Sequence, residues 1–236
     1  MSGHSKWSTI KRQKGLADAK RGAVFTKIGN QIAIAARGGT DPDMNPSLAM
    51  VIEKAREANM PNENIKRAIQ RVADKNSTAL IEETYEAYGP GGVGIIIEVA
   101  TDNKNRTFPE VRSALTKNGG RVADPGSVMF QFKRRGVVVV EASGEDALLS
   151  VLDAGAEDAV EDEGEITVYT EQKDLMKVRA AIIAAGLKVV NAELQYVPNT
   201  TVSVEGETVD KVMKVLDILD DLDDVTAVHT NADMSE

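Results

Sequence analysis

The spacing of hydrophobic positions changes character along the 236-residue chain, and the change divides it. Up to about residue 74 apolar side chains recur every three or four positions, which lines one face of a helix. Phe25, Ile28, Ile32 and Ala35 form the first such stripe and predict a helix from about Leu16 to Ala36. Arg37 to Pro46 is a loop by composition: two glycines end the helix, and Pro46 suits the first turn of the next. Leu48, Ile52, Ala55 and Ala58 mark that second helix, which stops at Asn59-Met60-Pro61 because a residue before proline is pushed out of the helical region. Asn62 is placed to cap a third helix carrying Ile65, Ala68, Ile69 and Val72 inward. Residues 16–74 thus read as a three-helix domain, followed by a polar linker at Asp74 to Thr78.

Beyond residue 80 the pattern turns strand-like. Tyr85 to Val93 reads as two strand edges around a Gly-Pro-Gly-Gly turn, and Ile95 to Val99 as a strand of β-branched residues. Thr107 and Glu110 have capping-box spacing, so a helix with Val111, Ala114 and Leu115 inward is expected to start there and close at Asn118-Gly119-Gly120. Ser127 to Lys133 completes a β-α-β unit. A second unit follows, with a strand at Val137 to Val140 and a helix capped by Ser143 that runs through Leu148, Leu149 and Leu152. A strand at Glu165 to Tyr169, a helix with Leu175, Val178, Ile182 and Ala185, and a strand at Leu187 to Val197 make it ferredoxin-like, β-α-β-β-α-β. The tail supplies a strand at Thr201 to Val204, a helix with Val209, Val212, Leu216 and Leu219 inward, and a strand at Val225 to Thr230.

That last β-α-β lacks a partner of its own, and pairing it with residues 81–133 is the economical solution. The expected fold class is α+β: a basic arm and helical domain at 1–80, a split ferredoxin-like domain at 81–134 plus 199–236, and an inserted ferredoxin-like domain at 135–198. In that topology Tyr88 to Gly92 and Asn118 to Gly120 share one end of the split domain, opposite the loop at Thr101 to Arg106.

Composition narrows the function. Aromatic residues make up only 4% of the chain, so the cores must be built from Val, Ile, Leu and Ala. Cysteine is absent, which removes disulfides and thiolate metal sites. No run approaches the roughly 18 apolar residues of a membrane span. The basic N-terminus lacks the apolar stretch of a signal peptide, so a cytoplasmic location and no membrane partner are expected. Charge is divided unevenly: residues 1–80 hold 14 Lys and Arg against 7 Asp and Glu, while residues 81–236 hold 14 against 30. A segment of net +7 on a body of net −16 points to a nucleic-acid contact carried by the N-terminal part.

Residues 2–15 have neither helical nor strand period and read as an extended arm. His4, Lys6, Lys11, Arg12 and Lys14 supply phosphate contacts, and Trp7 either stacks on a base or docks the arm on its own domain. Lys20 and Lys27 lie with Gln31 opposite the first apolar stripe, Arg21 projects toward the apolar side, and Arg37 begins the loop that follows. Lys66, Arg67 and Arg71 face outward on the third helix and complete the expected nucleic-acid-binding set. A further candidate is the loop of Asp102, Asn103, Asn105, Arg106 and Thr107, whose place at a helix start suits a phosphate or a partner; turn geometry alone also accounts for its Asn and Asp. The histidines, His4 and His229, join no catalytic set, no phosphate-binding or dinucleotide glycine motif appears, and no cofactor is implied. Asp217, Asp220, Asp221, Asp223 and Asp224 read as the solvated face of the last helix. Enzymatic activity is not expected.

These strings resemble the YebC/PmpR family over nearly the whole chain. The carriers are Gly3-His-Ser-Lys-Trp7, Asp18-Ala-Lys-Arg-Gly22, Phe25-Thr-Lys27, Gly39-Thr-Asp-Pro42, Asn45-Pro46 and Asn59-Met-Pro61. Tyr88-Gly-Pro-Gly-Gly92, Thr101-Asp-Asn103, Asn105-Arg-Thr107, Asn118-Gly-Gly120 and Pro125-Gly-Ser127 continue the match. The resemblance implies a helical N-terminal domain plus two α+β domains, and a DNA-binding transcriptional regulator. Other members, including mitochondrial translational activators, act on the ribosome at difficult stretches such as consecutive prolines, so duplex DNA and ribosomal RNA are both implied as partners. A third reading, an effector-sensing or protein-interaction module, follows from the ferredoxin-like units. The oligomeric state is not legible in the sequence.

Overall fold

The computed structural model describes residues 21–72, 79–162 and 164–234, in two compact units. One comprises the described residues through Gln131 and those from Thr200 onward; the other is Phe132–Asn199. The fold mixes helix and sheet, with N-terminal helices ahead of the strands.

In the first unit α1 (Arg21–Ala35), α2 (Pro46–Glu57) and α3 (Asn62–Gln70) close around Ile28, Ile32, Leu48, Ile52, Ala55, Met60 and Ile65. Asn45 organises the first junction. Its side chain accepts the Leu48 N–H at 3.2 Å, capping α2, and donates to the carbonyls of Ala35 and Gly39 at 2.8 Å. The second junction depends on Asn59, which takes a left-handed φ of 58°. That lets Met60 N–H reach Ala55 C=O and Asn59 N–H reach Arg56 C=O, both at 2.9 Å, a Schellman closure with Met60 buried beneath it. Two expectations need correction here. Asn62 lies inside α3, which follows Pro61 and has no side-chain cap, and Val72 is 39% exposed because α3 ends before it.

The same unit carries β1 (Ile81–Tyr88), β2 (Gly94–Thr101), α4 (Lys104–Lys117), β3 (Arg121–Val122) and, after Thr200, β8 (Val202–Ser203), α7 (Glu207–Asp220), β9 (Val225–Thr230) and β10 (Ala232–Asp233). Its sheet runs β3-β1-β2-β9, antiparallel throughout, and a short parallel pair joins β10 to β8. Ile95, Ile97 and Val99 of β2 and Val228 of β9 pack with Val111 and Leu115 of α4 and Val212, Leu216 and Leu219 of α7. At about 25 cal/mol per Å² such burial is the main favourable term. Gly91 turns the chain between β1 and β2 at φ 74°, where a Cβ would also lie 2.9 Å from Thr208 Cγ2. Gly119 lies close to Pro90, so the two glycine-rich turns do share one end of the sheet.

The start of α4 differs from expectation. Thr107 is not its cap: the helix begins four residues earlier, with Asn103 as the N-cap, and Thr107 is buried within its first turns. Asn103 accepts two backbone N–H groups, which outcompetes the Thr107-Glu110 spacing. Nor does the strand expected at Ser127 to Lys133 begin before Phe132. A 3-10 turn occupies Met129–Gln131, because Glu86 draws in the N–H groups of Gly126, Val128 and Met129 and takes them from any ladder.

The second unit contains β4 (Phe132–Glu141), α5 (Glu145–Asp153), β5 (Asp158–Asp162), β6 (Glu165–Thr170), α6 (Leu175–Ala184) and β7 (Lys188–Pro198). Its antiparallel sheet has the order β5-β6-β4-β7, the ferredoxin-like arrangement. β5 escaped the pattern because it is a polar edge strand. Gly144, not Ser143, precedes α5, without a side-chain cap, and the helix buries Val151 while Leu149 and Leu152 stay 53% and 43% exposed.

Candidate nucleic-acid interface

Cations of the helical segment divide by what they touch. The Lys27 ammonium donates to the Asp220 carbonyl and lies 3.8 Å from its carboxylate, with only 12% of the side chain exposed. Gln31, one turn on, donates to Thr226 C=O at 3.4 Å. Arg37 reaches back to the Leu80 carbonyl and, at 3.3 Å, to Glu82. Arg71 donates to Asn30 Oδ1 at 3.2 Å and lies 4.0 Å from Asp102. These side chains fasten the three helices to the sheet. Lys66 and Arg67 are exposed on α3, Lys66 pairing with Glu63 one turn before it. Arg21 opens α1. His4, Lys6, Trp7, Lys11, Arg12, Lys14 and Lys20 lie outside the described residues.

The loop after β2 is organised by a residue that sequence reasoning assigned to solvent. Asp224 is 8% exposed and directly precedes β9. Its Oδ2 accepts from the Thr107 hydroxyl at 2.5 Å, from Arg106 Nη2 at 2.7 Å and from the Thr101 hydroxyl at 3.0 Å, and its carbonyl accepts Ala100 N–H at 2.8 Å. Burial raises the carboxyl pKa, but the bonds from Thr107, Arg106 and Thr101 outweigh it and hold the group below its ordinary value. Arg106 also donates to Asp102 at 3.2 Å. Asn103 Oδ1 takes the N–H groups of Asn105 and Arg106 at 3.1 and 3.3 Å, so these donors of α4 point into the protein's own cap. Asp102, Asn103, Asn105, Arg106 and Thr107 are therefore brought together, and through Arg71 and Asn30 the cluster reaches α1 and α3. Asn30 Nδ2 extends it to the Ala100 carbonyl at 3.4 Å.

A second buried acid was missed as well. Glu86 Oε1 accepts Gly126 N–H at 2.5 Å, and Oε2 accepts those of Val128 and Met129 at 2.6 and 2.7 Å. Burial again pushes its pKa up, and the three backbone donors bring it below the usual carboxylate value. A signal existed in the sequence: Glu86 lies between Tyr85 and Ala87 in a strand and is followed, forty residues on, by a glycine-containing turn of matching donors. His229 is buried in β9, its Nε2 3.9 Å from Glu98. Among the described residues no group of three or more His, Asp or Glu side chains could hold a metal ion, and no helix is long and apolar enough to cross a membrane.

Comparison with known proteins places this geometry. The family model described as the TACO1/YebC protein N-terminal domain matches residues 5–75, and that of the TACO1/YebC second and third domain matches residues 80–232. A probable transcriptional regulatory protein of Frankia casuarinae is 48% identical, covering 100% of this chain and 97% of its own. One of Rubrobacter xylanophilus, named likewise, is 47% identical with the same coverage. The crystal structure of a conserved hypothetical protein from Aquifex aeolicus is similar at a TM-score of 0.87 and 38% identity, over 93% of both chains.

Proposed function

The chain belongs to the TACO1/YebC family, and we propose that it is a non-enzymatic, nucleic-acid-binding regulator of gene expression acting in the cytoplasm. The observation that carries the reading is the division of its cations. Lys27, Arg37 and Arg71 serve the fold, whereas Lys66 and Arg67 point outward, and Lys6, Lys11, Arg12, Lys14 and Lys20 stand in a stretch whose only acid is Asp18. Outward-facing cations and a cation-rich stretch on an otherwise acidic protein act by releasing counterions from phosphates. The names of the relatives from Frankia casuarinae and Rubrobacter xylanophilus support transcriptional regulation through DNA.

A second reading, a ribosome-associated translation factor that relieves stalling, is favoured by one specific observation. Residues 81–236 carry net −16 and would repel a duplex long enough to pass beneath them, whereas an arm with one Trp suits an irregular RNA-lined site. Sedimentation of the tagged protein through a gradient of cell lysate, with and without nuclease, separates the two. Salt-sensitive co-migration with ribosomes assigns translation. Absence from ribosomes together with salt-sensitive retention on promoter DNA assigns transcription. Absence of both contradicts the nucleic-acid reading.

A further inference from the structure

Within the acidic body one cation-rich stretch lies on a helix flank beside an exposed aromatic ring. Residues 104–122 hold five Lys and Arg (Lys104, Arg106, Arg112, Lys117 and Arg121) against a single acid, Glu110. Three of the five are engaged. Lys104 pairs with Glu83, Arg106 with Asp102 and Asp224, and the Arg121 guanidinium lies 4.8 Å over the Tyr88 ring. Arg112 and Lys117 are exposed and have no acidic partner among the described residues. They flank a shallow cleft of about 400 Å³ on the outer side of α4, lined among the described residues by Phe108, Pro109, Arg112, Ser113, Thr116 and Lys117.

An aromatic ring stands in the same cleft. Phe108 is 38% exposed, one of two exposed phenylalanines, with Phe130, in a chain poor in aromatics. Its orientation is fixed by an edge contact with Tyr85, the centroids 5.5 Å apart at 65°. Phe108, Arg112 and Thr116 follow one another at single-turn intervals, and Lys117 lies five residues, about 7.5 Å along the axis, beyond Arg112. Glu110 is two turns from Lys117. A fixed aromatic face beside unpartnered cations is the composition that stacks a base and holds its phosphates without reading sequence.

We infer that the outer flank of α4 is a second contact for nucleic acid, and that it takes a single strand, one base on Phe108 and its phosphates on Arg112 and Lys117. The inference rests on the nucleic-acid reading above and adds to it a site remote in sequence from the N-terminal cations. A duplex is disfavoured, since its stacked bases offer no face to Phe108.

The test uses the full chain with labelled oligouridylate and oligothymidylate of about twelve nucleotides, a length suited to one such groove. Replacing Arg112→Gln with Lys117→Gln is expected to lower the slope of log affinity against log salt by roughly 1.4 without changing the melting temperature. Phe108→Leu is expected to weaken binding about tenfold at fixed salt and leave the slope in place. If Phe108→Leu disturbs the Tyr85 contact and the fold, the Gln pair still decides. A response with either oligonucleotide supports the site, and the tighter one identifies the strand. Unchanged affinity and slope in the Gln pair, while the parent protein binds, overturns this site and leaves the proposed function standing. A parent protein that binds neither oligonucleotide nor duplex at low salt overturns both.

Discussion

Asp224 Oδ2 and the Thr107 hydroxyl are 2.5 Å apart, and this bond joins the start of β9 to the first turns of α4. It is the centre of a cluster that also contains Thr101 and Arg106 and that reaches α1 and α3 through Asp102, Arg71 and Asn30. A buried carboxylate with three donors is strongly committed, because losing it takes an acceptor from the Thr101 and Thr107 hydroxyls, which are buried away from water, as well as from the exposed Arg106. Asp224→Asn is expected to lower the unfolding free energy by about 2 kcal/mol. Thr107→Ser keeps the hydroxyl and is expected to cost less than half as much. Urea unfolding of the purified variants checks both values.

Acid should weaken the protein through the same groups. Asp224 and Glu86 are both held below their ordinary values in the folded state, although burial alone would raise them. A carboxyl with a depressed folded-state pKa contributes its stabilisation fully above the unfolded value of about 4, and loses it as pH falls through the lower folded value. Stability measured from about pH 7 downward is therefore expected to hold to about pH 5 and then to fall. In Asp224→Asn the fall should be shallower. An identical pH profile in that variant would show that Asp224 does not contribute to it.

Glu86→Gln probes the other clamp. Gln offers one acceptor oxygen where Glu offers two, so its amide group must face at least one of the N–H groups of Gly126, Val128 and Met129. About 2 kcal/mol of destabilisation is expected, concentrated in the turn around Gly126. Hydrogen exchange at Val128 and Met129 reads it: protection should drop there and stay unchanged at Leu48 in α2.

Outward and inward cations should separate cleanly. Lys66→Gln with Arg67→Gln is expected to reduce the salt slope of duplex DNA binding by up to about 1.8, with thermal stability unchanged. Lys27→Gln removes the ammonium that meets the Asp220 carbonyl, so its effect should be on melting temperature, with the slope retained. The opposite assignment would place the phosphate contact on α1.

How much of this was legible follows from what carries each element. The helical stripes and the β-branched strands were readable because burial follows their period, and β9 at Val225–Thr230 appears where its alternation puts it. Glycine turns were readable because their backbone admits few residues. Polar residues whose partners are distant in sequence were not. Nothing near Asp224 reveals that Thr101 and Thr107, more than a hundred residues earlier, will meet it, so it looked like one more acid after an acidic helix. Thr107 failed for the related reason that its hydroxyl turns to Asp224 and leaves the capping to Asn103. Among the candidate cations, type and helix face were legible, but only the fold distinguishes Lys27, spent on Asp220, from the exposed Arg67. Several strings that carry the family resemblance also acquire structural reasons: Asn45 caps α2, Asn59 closes it, and the Pro125 to Ser127 turn is held by Glu86.

The N-terminal cations remain the decisive test of a nucleic-acid regulator. The measurement is the salt dependence of binding to duplex DNA and to ribosomal RNA by the full chain and by a variant with Lys6, Lys11, Arg12 and Lys14 all replaced by Ala. The expected result is a slope lower by about three in the variant, with weaker binding at every salt concentration and an unchanged melting temperature. Equal slopes and affinities for the two proteins on both ligands would contradict it.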